Sequence, residues 1–317
     1  MRIYLLFVVF RSKIGFTNDK RSVGMTEGAD LSFIHLGISV QHMVKSFSVF
    51  GISFAYYGLI IGIGMVAGLL VAQSDAKRRG QDPEMYLDFA LYGIIFAILG
   101  ARIYYVVFQW GYYREHLSEI INLRKGGLAI YGGIIAAVIT LIVFTKKRGV
   151  SFFSMADSAC LGLVTGQIIG RWGNFVNCEA FGGYTDNLFA MRIRRSIVNE
   201  SMISQELLDH LIIENGVEYI QVHPTFLYES VWNLCLLLFM LWYRKRKKFT
   251  GEMLFVYLSG YGIGRAWIEG LRTDQLLIPG TGLAVSQMLS IVLAVVSLSV
   301  LLIRRRKGPG ESEENHK

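Results

Sequence analysis

The chain has 317 residues, of which 53% are hydrophobic, and its mean hydropathy is +0.42. Soluble domains average about 45–50% apolar residues, so this composition indicates a membrane protein and excludes an ordinary soluble enzyme or binding module. The formal net charge is +8. Its cations are grouped beside long apolar segments, and this placement argues against nucleic acid as a partner.

The first 30 residues do not have the pattern of a folded or membrane-spanning segment. The apolar stretch 3–10 is too short to cross a bilayer, and no small-residue cleavage site follows it, so it does not fit a secretory signal peptide. We predict that residues 1–30 are an extension that is either disordered or not translated, with translation starting at Met25. An N-terminal peptide beginning at Met1, found by mass spectrometry, would contradict this start.

Seven apolar runs follow, each about long enough to span a hydrocarbon core of about 30 Å. They lie at about residues 53–72, 87–107, 128–144, 152–169, 226–243, 253–268 and 283–303. Because lipid offers no partner to backbone N–H and C=O groups, each run is predicted to be a helix. The sequence therefore predicts an all-α, polytopic membrane protein. Its seven transmembrane helices occupy residues 31–303, and the connection 171–225 forms a small extracytoplasmic head.

Basic residues mark the ends of alternate runs. Fifteen lysines and arginines directly follow runs one, three, five and seven, at 77–79, 146–148, 244–248 and 304–307. By the positive-inside rule these clusters face the cytoplasm. We therefore expect a multi-pass protein with its N-terminus outside and its C-terminus inside. Residues 304–317 would be a cytoplasmic tail of basic and acidic residues.

A polar motif, GRWGNFVNCEAFGG, occupies residues 170–183 and begins where the fourth run ends. It contains Arg171, Asn174, Cys178 and Glu179. Three glycines at four-residue spacing lead into the motif, and small residues on one face let helices approach closely in lipid. Arg171 leaves this packed face, so we expect its side chain to point into the bundle rather than toward lipid.

The sixth run also carries ionisable groups. Tyr261, Arg265 and Glu269 are spaced at i, i+4 and i+8, so they share one helical face. Charges at membrane depth are costly and normally mark either a functional site or a buried pair, and a structural Arg265–Glu269 ion pair is the alternative to a site. Structural pairs are also predicted for Arg102, Asp88 and Asp157.

Two further polar segments are expected at the same outer level of the bundle. The segment GGLAIYGG at 126–133 places Tyr131 between two pairs of glycines, and HPTFLYE at 223–229 begins the fifth run. Together with the two arginines, these tyrosines and carboxylates lie at headgroup depth. Because a guanidinium fork binds two phosphate oxygens and stays charged, the combination predicts a site for an anionic lipid headgroup.

These motifs resemble those of the prolipoprotein diacylglyceryl transferases. The first is similar to the family pattern G-R-x-G-N-F-x-N-x-E, and YYGLIIG at 56–62, GGLAIYGG, HPTFLYE and GYGIGRAWIEGLRTD at 260–274 follow in the family's order and spacing. The resemblance covers about residues 31–303. It implies a seven-helix enzyme of the bacterial plasma membrane that needs no cofactor.

The resemblance also implies the reaction. Such enzymes transfer the diacylglyceryl group of phosphatidylglycerol to the lipobox cysteine thiol of a prolipoprotein and release glycerol 1-phosphate. The implied partners are therefore phosphatidylglycerol, prolipoproteins carrying a lipobox, and the membrane lipids around them. We expect the active site near the outer leaflet.

Carried over by motif, Arg171 and Arg265 would hold the lipid phosphate. The polar pocket would be completed by Asn174, Glu179, Tyr57, Tyr261 and Glu269. The family often has a histidine where this chain has Tyr131, which leaves three candidates for the acceptor of the thiol proton. These candidates are Tyr131, Glu179 and Glu269.

Other functions fit the sequence less well. A transporter for anionic solutes predicts polar residues at both leaflets and two similar halves, whereas here the unusual polar residues concentrate on one side. Acyltransferase HxxxxD spacing and a GxSxG nucleophile are not found in the sequence, and a receptor or scaffold leaves the clustered arginines unexplained. The histidine spacing predicts no metal site. Cys178 falls at a variable position of the family pattern, so we predict that the reactive thiol belongs to the substrate.

Overall fold

The computed structural model describes residues 14–16, 29–50, 52–123, 126–275, 277 and 284–307. Met25 and residues 308–317 of the expected tail lie outside these described residues. Seven long helices are present in the described part: α1 (Tyr56–Arg78), α2 (Glu84–Phe108), α3 (Ile130–Arg148), α4 (Phe152–Asn177), α5 (Thr225–Tyr243), α6 (Glu252–Glu269) and α7 (Val285–Lys307). Shorter helical segments occur at Trp110–Tyr113, Leu117–Ile121 and Gln205–Asp209.

Each predicted apolar run forms a helix, although the first helix begins later than expected, because residues 53–55 belong to a strand. Six of the helices are long and apolar enough to cross a membrane. The exception is α6, whose 18 residues include Glu252, Arg265 and Glu269. The all-α, multi-pass membrane fold is therefore confirmed, while the count of seven spans stays a prediction.

Glycines set the closest helix contacts. A Cβ added at Gly68 of α1 would lie 2.5 Å from the carbonyl oxygen of Gly162 in α4, and one added at Gly100 of α2 would lie 2.7 Å from the carbonyl oxygen of Gly132 in α3. Such contacts are possible only where a side chain is missing, as is typical of helix pairs in lipid. The α1–α4 pair brings the beginning of α1 next to the end of α4, where the polar motif lies.

The four basic clusters gather at the other end of the bundle, around three buried carboxylates (Asp75, Asp157 and Glu252) and the half-exposed Asp88. Asp75 accepts hydrogen bonds from Arg78 and Arg244, each at 2.9 Å. The other pairs are Asp88–Arg148 at 2.5 Å, Asp157–Lys247 at 3.2 Å and Glu252–Arg305 at 2.5 Å. The predicted pairing of Asp88 and Asp157 is confirmed. For Arg102 it is wrong: its partners in the described chain are backbone carbonyls, which satisfy a guanidinium without a carboxylate.

A small antiparallel sheet caps the end of the bundle that carries the polar motif. Its strand order is β1-β3-β2-β6-β8-β7. The strands are β1 (Ile14–Phe16), β2 (Leu31–Phe33), β3 (Ile38–Val40), β6 (Met191–Arg194), β7 (Ile212–Glu214) and β8 (Val217–Val222). A separate hairpin of β4 (Ser46–Val49) and β5 (Ile52–Ala55) leads directly into α1.

The head is therefore built from two parts of the chain, not from the connection 171–225 alone. Strand β2 pairs with β6, joining residues about 160 positions apart (Leu31 opposite Ile193). The buried core of the head includes Cys178, Phe181 and Ile220. Most strands of this sheet have only three or four residues. An alternating pattern of that length cannot be recognised in a sequence, so these strands become apparent only from their hydrogen-bonded pairing.

Candidate active site

The last turn of α4 positions the first group of polar side chains. After Asn177 the chain reverses through left-handed residues on both sides of Glu179, with φ 53° at Cys178 and 56° at Ala180. Left-handed conformations cost non-glycine residues about 1 kcal/mol or more and tend to occur at functional sites. The reversal brings the Glu179 carboxylate back over the helix, where it accepts a hydrogen bond from Asn174 Nδ2 at 2.9 Å.

The two predicted arginines meet at one carboxylate. Arg171 Nη2 lies 2.9 Å from Glu229 Oε1, and Arg265 Nη1 lies 3.0 Å from the same oxygen. The Glu229 side chain is 4% exposed, whereas those of Arg171 and Arg265 are 21% and 16% exposed. Three helices, α4, α5 and α6, thus contribute one charged group each to a single cluster. Both arginine side chains therefore remain partly accessible.

A second carboxylate extends this cluster along α6. Arg265 Nη2 lies 2.5 Å from Glu269 Oε2, and Arg272 Nε lies 4.0 Å from it. Ser286 at the start of α7 donates to Glu269 Oε1. The Arg265–Glu269 ion pair considered from the sequence therefore exists, as one part of a larger network. The structural and functional interpretations of these residues are compatible.

Arg272 closes the network on the side of the head. Its Nε and Nη2 donate to the two carboxylate oxygens of Asp274 at 2.9 and 2.7 Å. Burial opposes ionisation of Asp274, but these hydrogen bonds hold its pKa below the ordinary value. Asp274 is therefore negatively charged and forms a two-point ion pair with the Arg272 guanidinium. Within the network Arg272 is thus paired with Asp274, whereas Arg171 and Arg265 share Glu229.

Two predicted tyrosines line the network. The Tyr57 ring packs against Gly173, where an added Cβ would lie 2.8 Å from it, and Tyr57 interacts electrostatically with Arg171 and Glu179. Tyr261 stacks on Tyr257 with ring centroids 5.7 Å apart. Its hydroxyl interacts with the charges of both arginines and of both network carboxylates. The structure thus brings these tyrosines together with the charged groups.

Tyr131 is the predicted residue that the structure does not join to the network. It is the second residue of α3 and is half-buried. Among the described residues, no hydrogen bond or ion pair connects it to the two arginines. The other seven predicted residues are brought together: Arg171, Arg265, Asn174, Glu179, Tyr57, Tyr261 and Glu269.

Sequence reasoning missed Glu229 as a member of the site. The sequence places HPTFLYE at the level of the arginines, but it gives Glu229 no role of its own. The signal that could have identified it is its position. Glu229 lies within the first turns of an apolar run, where a carboxylate requires a cationic partner. Arg272 lies in the motif at 260–274 but has no predicted role of its own, and Ser286 lies outside the motifs.

Cys178 lies in the core of the head and not in the network. Its side chain is 3% exposed and packs among the apolar residues of the sheet. Burial raises the pKa of the Cys178 thiol to about 11. A nucleophilic cysteine needs an accessible thiolate, so this environment is that of a structural residue. In the part of the chain that the structure describes, no group of three or more His, Cys, Asp or Glu side chains could hold a metal ion.

The last residues of the motif connect the head to the network. Gly182 N–H donates to the carbonyl of His223 at 2.9 Å, and Gly183 N–H donates to the carbonyl of Leu271 at 2.9 Å. His223 N–H returns a bond to Gly183 at 3.0 Å. Residues 181–183 therefore lie between the start of α5 and the end of α6, the two helices that carry Glu229 and Arg265. These hydrogen bonds link the start of α5 to the end of α6 through residues 182 and 183.

Comparison with known proteins agrees with this arrangement. A family model described as prolipoprotein diacylglyceryl transferase matches residues 45–303. The chain is similar to the phosphatidylglycerol–prolipoprotein diacylglyceryl transferase of Geobacillus kaustophilus (strain HTA426), 42% identical over 279 residues that cover 88% of this chain and 94% of that protein. It is also similar to the Bacillus cereus (strain B4264) protein of that name, 42% identical over 256 residues, covering 81% and 90%. Matched over most of its length, the chain belongs to the prolipoprotein diacylglyceryl transferase family.

Proposed function

We propose that this protein transfers the diacylglyceryl group of phosphatidylglycerol to the lipobox cysteine thiol of prolipoproteins. The products are a thioether-linked lipoprotein precursor and glycerol 1-phosphate, and the reaction is the first step of bacterial lipoprotein maturation. Family membership supports the activity. The structural observation that supports it best is the convergence of Arg171 and Arg265 on one point at the head end of the bundle.

In this proposal the two arginines bind the lipid phosphate. The thiolate attacks the glyceryl carbon, a C–S bond forms, and the C–O bond to phosphate breaks. The phosphate group gains one negative charge as it leaves, so cations held in place bind it more tightly in the transition state than in the bound lipid. Glu229 holds the two guanidinium groups together before the lipid arrives. In this proposal the N–H groups that Glu229 does not use bind the lipid phosphate.

The thiol proton needs an acceptor, since a free thiol of pKa about 8.5 is mostly protonated at neutral pH. Of the three candidates, Glu269 is occupied by Arg265 and Ser286, and Tyr131 lies outside the network. Glu179 accepts from the neutral Asn174 amide, and its other oxygen has no hydrogen bond to any of the described residues. We therefore assign the proton to Glu179, with Asn174 fixing the orientation of the carboxylate.

The proposed orientation places this chemistry at the outer leaflet. The basic clusters lie at the opposite end of the bundle from Arg171 and Arg265, and the positive-inside rule assigns them to the cytoplasm. The head would then lie outside the cell, where a prolipoprotein presents its lipobox after export. Residues 31–303 would act as one membrane transferase domain, followed by a cytoplasmic tail from residue 304.

The test is an assay with purified protein, phosphatidylglycerol and a synthetic lipobox peptide. Mass spectrometry is expected to detect the peptide with one diacylglyceryl group in thioether linkage, together with released glycerol 1-phosphate. A peptide with serine in place of the lipobox cysteine is the control and should stay unmodified. Failure to form the adduct, and failure to complement a strain that lacks the transferase, would overturn the proposal.

Cys178→Ala is expected to retain transfer activity, because the reactive thiol comes from the substrate. Removing one buried sulfur atom from the head core should lower the free energy of unfolding by only about 1 kcal/mol. The measurements are the rate of thioether formation and the unfolding transition of the variant. An inactive but folded Cys178→Ala protein would show that the nucleophile has been assigned to the wrong molecule.

Gly182→Ala is expected to lower the transfer rate strongly. A Cβ at Gly182 would lie 2.6 Å from the carbonyl oxygen of Leu271 and 2.8 Å from Cβ of His223, so backbone must move at the ends of both α5 and α6. A shift of about 1 Å at catalytic groups can cost about 10²-fold in rate. Gly183→Ala is the matched control, since its Cβ would meet only the flexible carboxylate of Glu206 at 3.1 Å. Equal rates for the two variants would contradict this interpretation.

A further inference from the structure

Residues 186–189 of the head form a loop that exposes two neighbouring apolar side chains. Leu188 is 58% exposed and Phe189 is 41% exposed. The turn is closed by Asn187, whose N–H donates to Thr185 Oγ1 at 3.3 Å and whose Oδ1 accepts from the Phe189 N–H at 2.9 Å. The two apolar side chains are therefore presented by a turn whose backbone is fixed by local hydrogen bonds.

Aromatic rings join this loop to α5 and α6. The Phe189 ring packs edge-on against Tyr228 in the first turn of α5, with centroids 6.5 Å apart, and Asn187 Nδ2 donates to the Tyr228 hydroxyl at 3.0 Å. The Tyr228 ring lies 6.2 Å from that of Trp267 near the end of α6, and Trp267 lies 6.2 Å from Trp232. Phe189 thus begins a row of four rings that passes from the head onto two helices of the bundle.

The row of rings continues the surface through which the bundle meets lipid. The helix α5 is long and apolar enough to span a membrane. Its residues Val231, Phe239 and Trp242 lie on the same side as Tyr228 and are all exposed, as is Trp267 on α6. Tyrosine and tryptophan are enriched where a span leaves the lipid, because their rings are apolar and carry one polar group. The membrane boundary on the head side is therefore expected at the level of Tyr228 and Trp267.

The one charged side chain of the loop is bound by the head. Asp186 Oδ1 lies 3.1 Å from His35 Nε2 and accepts a hydrogen bond from Gln221 Nε2 at 3.0 Å. A free carboxylate beside lipid would be costly, and these contacts hold it while Leu188 stays exposed. Other exposed apolar residues of the head, such as Ile213 on β7, lie outside the row of rings. Single residues of that kind are normal on a protein surface.

We propose that residues 186–189, together with Tyr228 and Trp267, form a lipid-contacting surface that seats the head on the bilayer. Leu188 and Phe189 insert at the boundary between headgroups and acyl chains, in the leaflet on the head side. The Asn187 turn fixes their direction, and the row of rings connects them to the lipid-facing helices. This role depends on the membrane fold alone and goes beyond the proposed transfer reaction.

Site-directed spin labelling tests this surface in vesicles of phosphatidylglycerol and phosphatidylcholine. A nitroxide is attached to Leu188→Cys, or to Ile213→Cys as the control, in the full chain with the exposed Cys235 replaced by alanine; Cys160 and Cys178 are buried and stay. The label at position 188 is expected to collide with oxygen, which dissolves in lipid, and to lose collisions with a water-soluble nickel chelate. The label at position 213 should collide freely with the chelate. Equal access of the chelate to both positions would overturn the proposal.

A prolipoprotein is the other partner that could cover these side chains, and the same labels distinguish it from lipid. If the label at position 188 stays open to the chelate in vesicles and is protected only after a prolipoprotein is added, the surface binds protein and the lipid assignment is wrong. If Leu188→Cys does not fold, the label is placed at Phe189→Cys, which should show the same protection.

A charge placed in the loop gives a second measurement. Leu188→Asp is expected to expose a label at position 189 to the nickel chelate, because a carboxylate draws the turn out of the lipid. Ile213→Asp is the matched control and should leave that label protected. An unchanged label in Leu188→Asp would show that the loop does not insert.

Discussion

Arg171→Ala and Arg265→Ala are each expected to lower kcat/KM for thioether formation by about 10²–10³-fold, the typical cost of removing a fixed donor to a developing anion. The reason is that both guanidinium groups converge on one point from different helices. Neither can therefore replace the other. The assay is the conversion of phosphatidylglycerol and a lipobox peptide, followed by mass spectrometry.

The control for these variants is an arginine of the head that is also paired with carboxylates. Arg195 binds Glu200 and Glu218, and its side chain is 29% exposed. Arg195→Ala should keep normal activity, because its ion pairs lie outside the network and exposed pairs contribute little to stability. Arg171→Lys and Arg265→Lys are expected to fall between wild type and alanine, since an ammonium keeps the charge but loses the planar fork. Activity retained in both alanine variants would refute the phosphate assignment.

Glu229→Ala is expected to have the second large effect, on stability as well as on activity. Removing one partner of a buried ion pair typically costs about 3–5 kcal/mol, because the remaining charge is left without compensation. Here one oxygen of Glu229 contacts both Arg171 and Arg265. Without this carboxylate the two guanidinium groups would repel each other. The measurements are the free energy of unfolding in detergent and the rate of thioether formation.

Glu229→Gln separates the two effects. The amide keeps the shape and one acceptor oxygen but removes the negative charge that holds Arg171 and Arg265 together. We expect the variant to fold and to lose much of its activity, and we expect its effect to be less than additive with Arg171→Ala. The matched control is Glu218→Gln on the head, whose partner Arg195 is more exposed. A Glu229→Gln enzyme with normal rate and normal stability would show that the shared carboxylate has no role in the site.

The candidate site could be predicted from the sequence only where its residues lie in recognisable local patterns. Arg171, Asn174 and Glu179 lie within nine residues of one another, and Arg265 and Glu269 are one helical turn apart. Their grouping follows from helix geometry without knowledge of the fold. Glu229 could not be assigned in this way. Its partners lie 58 and 36 positions away in the sequence, and only the packing of α4, α5 and α6 brings them together.

The same limit explains three other differences between prediction and structure. The sequence predicts that Arg102 is one half of an ion pair, because a sequence shows which side chains are charged. It does not show which backbone carbonyls a folded loop will present to the guanidinium. The head was assigned to one connection, because its short strands from residues 31–40 show no pattern of their own, and their pairing with β6 is decided by the sheet. The motif predicts that Tyr131 belongs to the site, whereas among the described residues no hydrogen bond or ion pair joins it to the two arginines.

The sequence by itself determined the membrane class, the seven apolar segments that form helices and the family of the chain. It also determined that Tyr261, Arg265 and Glu269 share one face of their helix. These properties depend on the local sum of hydropathy, on helical periodicity and on short motifs, all of which act over a few neighbouring residues. The tertiary structure alone decided which carboxylate holds the two arginines together and how the head is attached to α5 and α6. It also decided that Arg102 binds backbone carbonyls of the loop before α3. Such contacts join distant residues, and the free energy that selects them comes from the packing of whole helices against one another.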